Sequence, residues 1–205
     1  MDTRNRILTH ATNLFLKYGI KTVSLDRLVR DLGISKKTLY QLFANKSLLV
    51  QEVCQNIVNE EEGICDGIIE VSENAVDELV KYMQHSIHQF QRISPKMIYE
   101  VRKYYPDGWK IFERHSSEYG VLKVEENLIR GISEGLYRPE INVNIVSRMR
   151  VNSINTEFDP TLFPEDEFNL IEIHFQLFQI YLYGIATEKG RSLIETYLTH
   201  EFYQS

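Results

Sequence analysis

The run Gly33-Ile34-Ser35-Lys36-Lys37-Thr38-Leu39-Tyr40-Gln41-Leu42-Phe43 interleaves cations, hydroxyls and an amide with three large apolar residues. Read as a helix at about 100° per residue, it puts Leu39, Leu42 and Phe43 together on one side, which must be buried. Lys37 and Gln41 then point the opposite way, Lys36 with Tyr40 lies on one flank, and Thr38 lies on the other. Every outward position offers a donor, and none is acidic. This is the chemistry of reading a DNA major groove: lysine donates to guanine O6 and N7, and glutamine pairs with adenine N6 and N7. The Thr38 and Tyr40 hydroxyls are placed to hold phosphates on the two walls of the groove. Taken singly, each residue is an ordinary cap or solvated charge. Five donors on one short face after a turn form a specific pattern.

The elements that must hold this face can be read from the same fifty residues. A first helix begins at Asp2 or Thr3, lines up Ile7, Leu8, Ala11, Leu14 and Phe15, and stops near Gly19. Ser24 is placed to cap a second helix whose Leu25, Leu28, Val29 and Leu32 face inward, and Gly33 suits the left-handed residue that ends it. Ile34 fills the turn and Ser35 caps the third helix. Two helices joined by a short Gly-containing turn describe a helix-turn-helix. Ser24, Ser35 and the Asn45–Lys46 helix start add backbone N–H groups and a favourable dipole for phosphate.

Charge is divided in the same sense. Residues 1–50 hold nine Lys/Arg against three Asp/Glu, a net +6, while the rest holds 14 against 26, a net −12. A basic head on an acidic body points to a polyanion met by the head alone. The 205 residues can form one domain or two small ones, and five prolines and ten glycines spread along the chain favour helices over many short strands. The N-terminus has helical spacing rather than a secretory core. The longest charge-free apolar stretch, 173–187, is too short to span a bilayer and includes His174, Gln176 and Gln179. A cytoplasmic protein with no membrane partner is expected, and Cys54 and Cys65 read as reduced thiols.

Beyond the head (1–46), a body (47–205) is expected to begin on a helix running from Asn45 to Gly63, with Glu60, Glu61 and Glu62 as its solvated end. Residues 74–92 carry Val76, Leu79, Val80, Met83, Ile87 and Phe90 on one stripe, an amphipathic helix. His85 and His88 lie one turn apart, but His85 faces away from that stripe and no third ligand has suitable spacing, so no metal site is assigned. A break is expected at Pro106-Asp107-Gly108. Tyr82, Met83, Phe90, Met97, Tyr99, Tyr105, Trp109 and Phe112 are candidates to line an apolar pocket with a few hydroxyl handles, against the plainer reading of ordinary core. Further helices reach Gly135 and span about 142–156. The next, with Leu170 to Ile185 apolar around nearly its whole circumference, should be covered by its own domain on one side and a symmetric partner on the other. Phe175, Phe178 and Leu182 are its candidate interface residues. The final helix should pack against the body.

The stretch from Ile7 to Val50, above all "LGISKKTLYQLFANKSLL", resembles the DNA-binding domain of the tetracycline-repressor (TetR) family. The carriers are Gly33, Thr38-Leu39-Tyr40, Phe43 and Asn45-Lys46. The resemblance implies an all-α fold: a three-helix helix-turn-helix domain followed by a larger helical ligand-binding and dimerisation domain. It also implies a homodimer that releases DNA when a small molecule enters the body, and DNA-facing roles for Lys36, Lys37, Thr38, Tyr40, Gln41 and Lys46. Leu42 departs from relatives with an aromatic or polar residue there, which points to fewer base contacts. The expected function is a ligand-responsive repressor on a near-palindromic DNA operator, with a partly apolar effector, no cofactor and no catalytic residue. The alternatives are an interaction protein that keeps the fold without binding DNA, or an enzyme with a fortuitous helix-turn-helix. No phosphate loop, nucleophile elbow or HExxH stands in the sequence to favour the enzyme.

Overall fold

A computed structural model of the chain describes residues 2–164 and 166–202. Among these, the α-helices in order are α1 (Thr3–Tyr18), α2 (Leu25–Leu32), α3 (Lys36–Leu42), α4 (Lys46–Val71), α5 (Ala75–Arg92), α6 (Pro95–Tyr104) and α7 (Pro106–His115). A π-helical turn at Ser116–Gly120 leads into α8 (Val121–Ser133), followed by α9 (Val143–Thr156), α10 (Leu170–Ile185) and α11 (Glu188–Phe202). The one β-like pairing among the described residues is an isolated bridge between Tyr137 and Ala186. The fold is all-α. No described helix is long and apolar enough to cross a membrane.

The chain divides into two compact units, Met1–Gly63 with Gln91–His115, and Ile64–Phe90 with Ser116–Ser205. In the first, the local signals operate as expected. Asp2 accepts from the Arg4 and Asn5 N–H groups to start α1, and Ser24 Oγ accepts from Arg27 N at 3.1 Å to start α2. Gly33 ends α2 at φ +64°, where its N–H turns back to the Arg30 and Val29 carbonyls. Ile7, Phe15, Leu28, Leu39, Leu49 and Val53 share one core with Met97 and Val101 of α6. Lys21 N donates to Glu100 Oε2 at 2.9 Å and Ser94 N donates to Leu16 O at 2.7 Å, tying the end of α1 and the loop after it to α6.

Two boundary expectations are corrected. Gly63 does not end α4; the helix continues through Gly63 and Gly67 to Val71. A mid-helix glycine costs about 1 kcal/mol, too little to stop a helix whose flanks are buried by Val58 and Cys65. Glu60, Glu61 and Glu62 are therefore mid-helix, with Asn56 Nδ2 donating to Glu60 and His115 Nδ1 3.1 Å from Glu62. The break at Pro106-Asp107-Gly108 lies one residue earlier, at Tyr105, because Pro106 opens α7, where a missing N–H is harmless. Cys54 packs beneath Gly108, and burial pushes its thiol up to about 12, so it stays protonated at neutral pH.

The second unit gathers Val76, Met83, Leu128, Tyr137, Phe178, Leu182, Ile194 and Leu198 into one core. A polar knot joins α5 to α8. Arg130 contacts Glu78 (3.2 Å) and Glu134 (2.8 Å) and donates to Ser72 O, while Tyr137 OH and Asn127 Nδ2 both donate to Ala75 O. Burial raises the Glu78 carboxyl, and the Arg130 guanidinium opposes it. A Cβ on Gly131 would stand 2.0 Å from the Tyr137 ring, which those hydrogen bonds hold in place. Gly131→Ala should therefore destabilise the protein by about 1–3 kcal/mol or more through overpacking, seen as a lower thermal midpoint. An unchanged midpoint would mean that Tyr137 is free to move.

Candidate nucleic-acid interface

The local sequence dictates how the third helix stands. Ser35 Oγ accepts from Thr38 N at 3.0 Å and lies 2.8 Å from Thr38 Oγ1, so the cap also occupies the threonine hydroxyl. Leu39 is 0% exposed in the first core, Phe43 is buried beside it, and Leu42 packs against the same cluster half-buried. Full burial of one such side chain contributes about 1.5–3 kcal/mol, which is why the opposite face must look outward. Lys36, Lys37 and Gln41 are exposed, Thr38 is half-buried, and Tyr40 is 51% exposed although aromatic.

These groups differ in what already holds them. Lys36 Nζ contacts Asp26 Oδ1 at 2.8 Å, and that hydrogen bond raises its pKa. Both side chains are exposed, so a phosphate can replace Asp26 at little loss. Ser24 is occupied as the cap of α2, and Asn45 Oδ1 accepts from Leu48 N at 2.9 Å as the cap of α4. Arg30 is a further strongly exposed cation on α2. Its place at the end of α2 becomes clear only once the turn is built.

Lys46 stands apart. Its Nζ donates to the carbonyls of Ile20 and Val23, both at 2.6 Å, and lies 5.9 Å from the centre of the Phe15 ring. Burial lowers its pKa, and the nearby Glu100 opposes that. Its ammonium clamps the start of α4 to the loop between α1 and α2. Sequence spacing carries no sign of this, since those carbonyls lie more than twenty residues away.

The candidate pocket residues are not gathered in one unit. Met97 is fully buried in the first core, Tyr105, Trp109 and Phe112 pack against it, and Tyr99 is exposed with its hydroxyl on Lys103. Met83 is buried in the second core. Tyr82 belongs to the second unit, its hydroxyl against Cys65, and so does Phe90, whose ring meets Phe158 and His174 edge-on. Of the eight, Met97, Tyr105, Trp109 and Phe112 serve the first core and Met83 the second. Phe178 and Leu182, expected at a subunit interface, are 1% and 0% exposed within the protein's own second core, and Phe175 packs half-buried against it. The exposed positions of α10 are Glu172, Gln176, Ile180 and Gly184.

A polar cluster in the second unit went unnoticed in the sequence. Arg150 of α9, Glu157 at its end, and His174 and Tyr181 of α10 are all buried. A buried polar atom without a hydrogen bond costs on the order of 1–3 kcal/mol, and this cluster contains four among the described residues, two of them, Arg150 Nη1 and Glu157 Oε1, facing each other as a 3.8 Å ion pair. His174 stood out in sequence only as an interruption of an apolar run, while Arg150 and Glu157 look like surface charges.

Comparison with known proteins bears on the helix-turn-helix segment and on the fold. Residues 7–53 match the family model described as bacterial regulatory proteins, tetR family. The HTH-type transcriptional regulator YvaF of Bacillus subtilis (strain 168) is 25% identical over 185 residues, covering 90% of this chain and 96% of that protein. A transcriptional regulator from Cytophaga hutchinsonii ATCC 33406 superposes with a TM-score of 0.75 at 20% identity, over 89% of this chain and 98% of that one. A regulator from Saccharomonospora viridis, solved in complex with choline, superposes with a TM-score of 0.73 at 15% identity, over 90% and 98%. The helix-turn-helix segment thus matches the tetR-family domain over residues 7–53, and the chain as a whole shares its fold with these regulators.

Lys46→Met keeps the stem and removes the clamp. It should cost about 1.5–3 kcal/mol of stability, as charged hydrogen bonds do, measured by denaturant unfolding without DNA. A side chain that serves only DNA would leave stability unchanged.

Proposed function

We propose that the protein is a homodimeric, ligand-responsive repressor that binds a near-palindromic operator in the cytoplasm, and that it is a regulator rather than an enzyme. Residues 1–46 act as the DNA-binding head and residues 47–205 as the regulatory and dimerising body. The observation that carries this reading is α3 itself: Leu39 is wholly buried while Lys37, Tyr40 and Gln41 stand exposed on the outer side. Lys37 and Gln41 read base edges, Lys36, Thr38 and Tyr40 meet the flanking phosphates, and the capped helix starts at Ser24, Ser35 and Asn45 supply N–H groups. Lys46 contributes by holding the head in shape rather than by reaching for phosphate. Paired recognition helices enter major grooves about one helical turn apart.

Regulation is supported by the way α6 is built into the core that carries α3. A shift of α6 moves Ser94 and Glu100, and with them the backbone at Leu16 and Lys21. An effector that binds one arrangement better than the other changes DNA affinity by that difference. The choline complex of the regulator from Saccharomonospora viridis supports a small-molecule effector in this fold. For the dimer, the candidate face is the outer stripe of α10, where Ile180 is 68% exposed. An exposed isoleucine between Gln176 and Gly184 suits close packing against a second copy.

Duplexes selected from a random pool by the purified protein test the DNA reading. Binding should fall steeply with salt. Gln41→Ala should lose about 1–3 kcal/mol per half-site on the selected duplex and almost nothing on a scrambled one. Equal losses on both would remove Gln41 from base reading. For the dimer, Ile180→Glu should halve the mass measured by light scattering, and an unchanged dimer would rule out the α10 face.

A further inference from the structure

The four-residue cluster of the second unit is built like a site rather than a core. Glu157 Oε2 lies 2.6 Å from His174 Nδ1, which satisfies one oxygen and one ring nitrogen. Their other atoms, Glu157 Oε1 and His174 Nε2, have no hydrogen-bond partner among the described residues, and neither do Arg150 Nη1 and Tyr181 OH. All four side chains are at least nine-tenths buried. Arg150 Nη1 and Glu157 Oε1 are 3.8 Å apart, too far for a direct hydrogen bond, while one oxygen placed between them can reach both.

The surroundings are aromatic. The Arg150 guanidinium lies 5.3 Å from the Phe178 ring centre and 5.2 Å from that of Tyr181. Phe90 packs edge-on to His174 at 4.9 Å and to Phe158 at 5.3 Å. Phe90 and Phe158 are only half-buried, so the rings beside the polar groups reach toward solvent.

We propose that this cluster is the polar end of a ligand site for a small, mostly apolar alcohol or phenol. The ligand hydroxyl accepts from Arg150 Nη1 and donates to Glu157 Oε1, and its hydrocarbon part lies against Phe90, Phe158 and Phe178. A hydroxyl is the group of choice because it donates and accepts at once. A carboxylate would meet the arginine but be repelled by the Glu157 carboxylate, and a bare hydrocarbon would leave both atoms without a hydrogen bond. This assignment rests on the ligand-responsive reading and deepens it, but binding is measured without DNA, so the two can fail separately.

The test is calorimetry on the full-length protein with phenol, benzyl alcohol, cyclohexanol and 1-hexanol, each beside its matched hydrocarbon and matched carboxylate. At least one alcohol should bind saturably, tenfold or more tighter than its hydrocarbon and its acid. Glu157→Gln should remove that preference while leaving hydrocarbon binding unchanged. If that variant does not fold, the comparison on the unaltered protein still decides. The proposal is overturned if no alcohol binds, if hydrocarbons or acids bind as well, or if a crystal structure with the alcohol shows an ordered water only between Arg150 and Glu157. Loss of operator response with alcohol binding intact would instead count against the repressor reading.

Discussion

Burial of Leu39 and Phe43 is the constraint on which the outward face of α3, proposed above to meet DNA, depends. Seven residues make too short a helix to stand alone in water, since isolated helices of that length are marginal. The third helix exists because two of its side chains are held by Ile7, Phe15, Leu28 and Leu49, and its rotation is set by that packing. Once the leucine points inward, Lys37 and Gln41 have one direction left. The Ser35 cap fixes where the helix starts, and the left-handed turn at Gly33 fixes its angle to the helix before it. The face is thus a consequence of the core beneath it.

The same core contains Met97 and Val101 of α6, so this later helix is packed directly beneath the helix-turn-helix. Glu100 is buried while accepting from a backbone N–H, and Lys46 holds two carbonyls of the same loop. These contacts make the loop between α1 and α2 a junction. Its backbone polar groups are satisfied by side chains that arrive from two later helices. Under the proposed ligand-responsive reading, this junction is the element that both functions would bias.

What could be read in the sequence was what local rules govern. The caps at Ser24 and Ser35, the glycine stop after α2, the stripe of α5 and the extent of α9 follow from neighbours within a few residues. The misreadings share a different cause. Gly63 signals a helix end only when nothing packs on the residues beyond it. The candidate pocket residues between 82 and 112 looked like one group because they are close in sequence, yet Met97, Tyr105, Trp109 and Phe112 serve the first core and Met83 the second. Phe178 and Leu182 were expected at a partner's surface because the apolar content of a helix does not say which neighbour covers it. Lys46, Arg150 and Glu157 look like any surface charge until their surroundings are known, and those are assembled by tertiary packing.

The most direct measurement is hydrogen–deuterium exchange of the full-length protein with and without a selected duplex. New protection should concentrate in residues 24–46, strongest at the start of α3, with no direct footprint on α8, α9 or α11. Protection that spares α3 while appearing on the acidic second unit would contradict the claim that the outward side of this helix meets DNA.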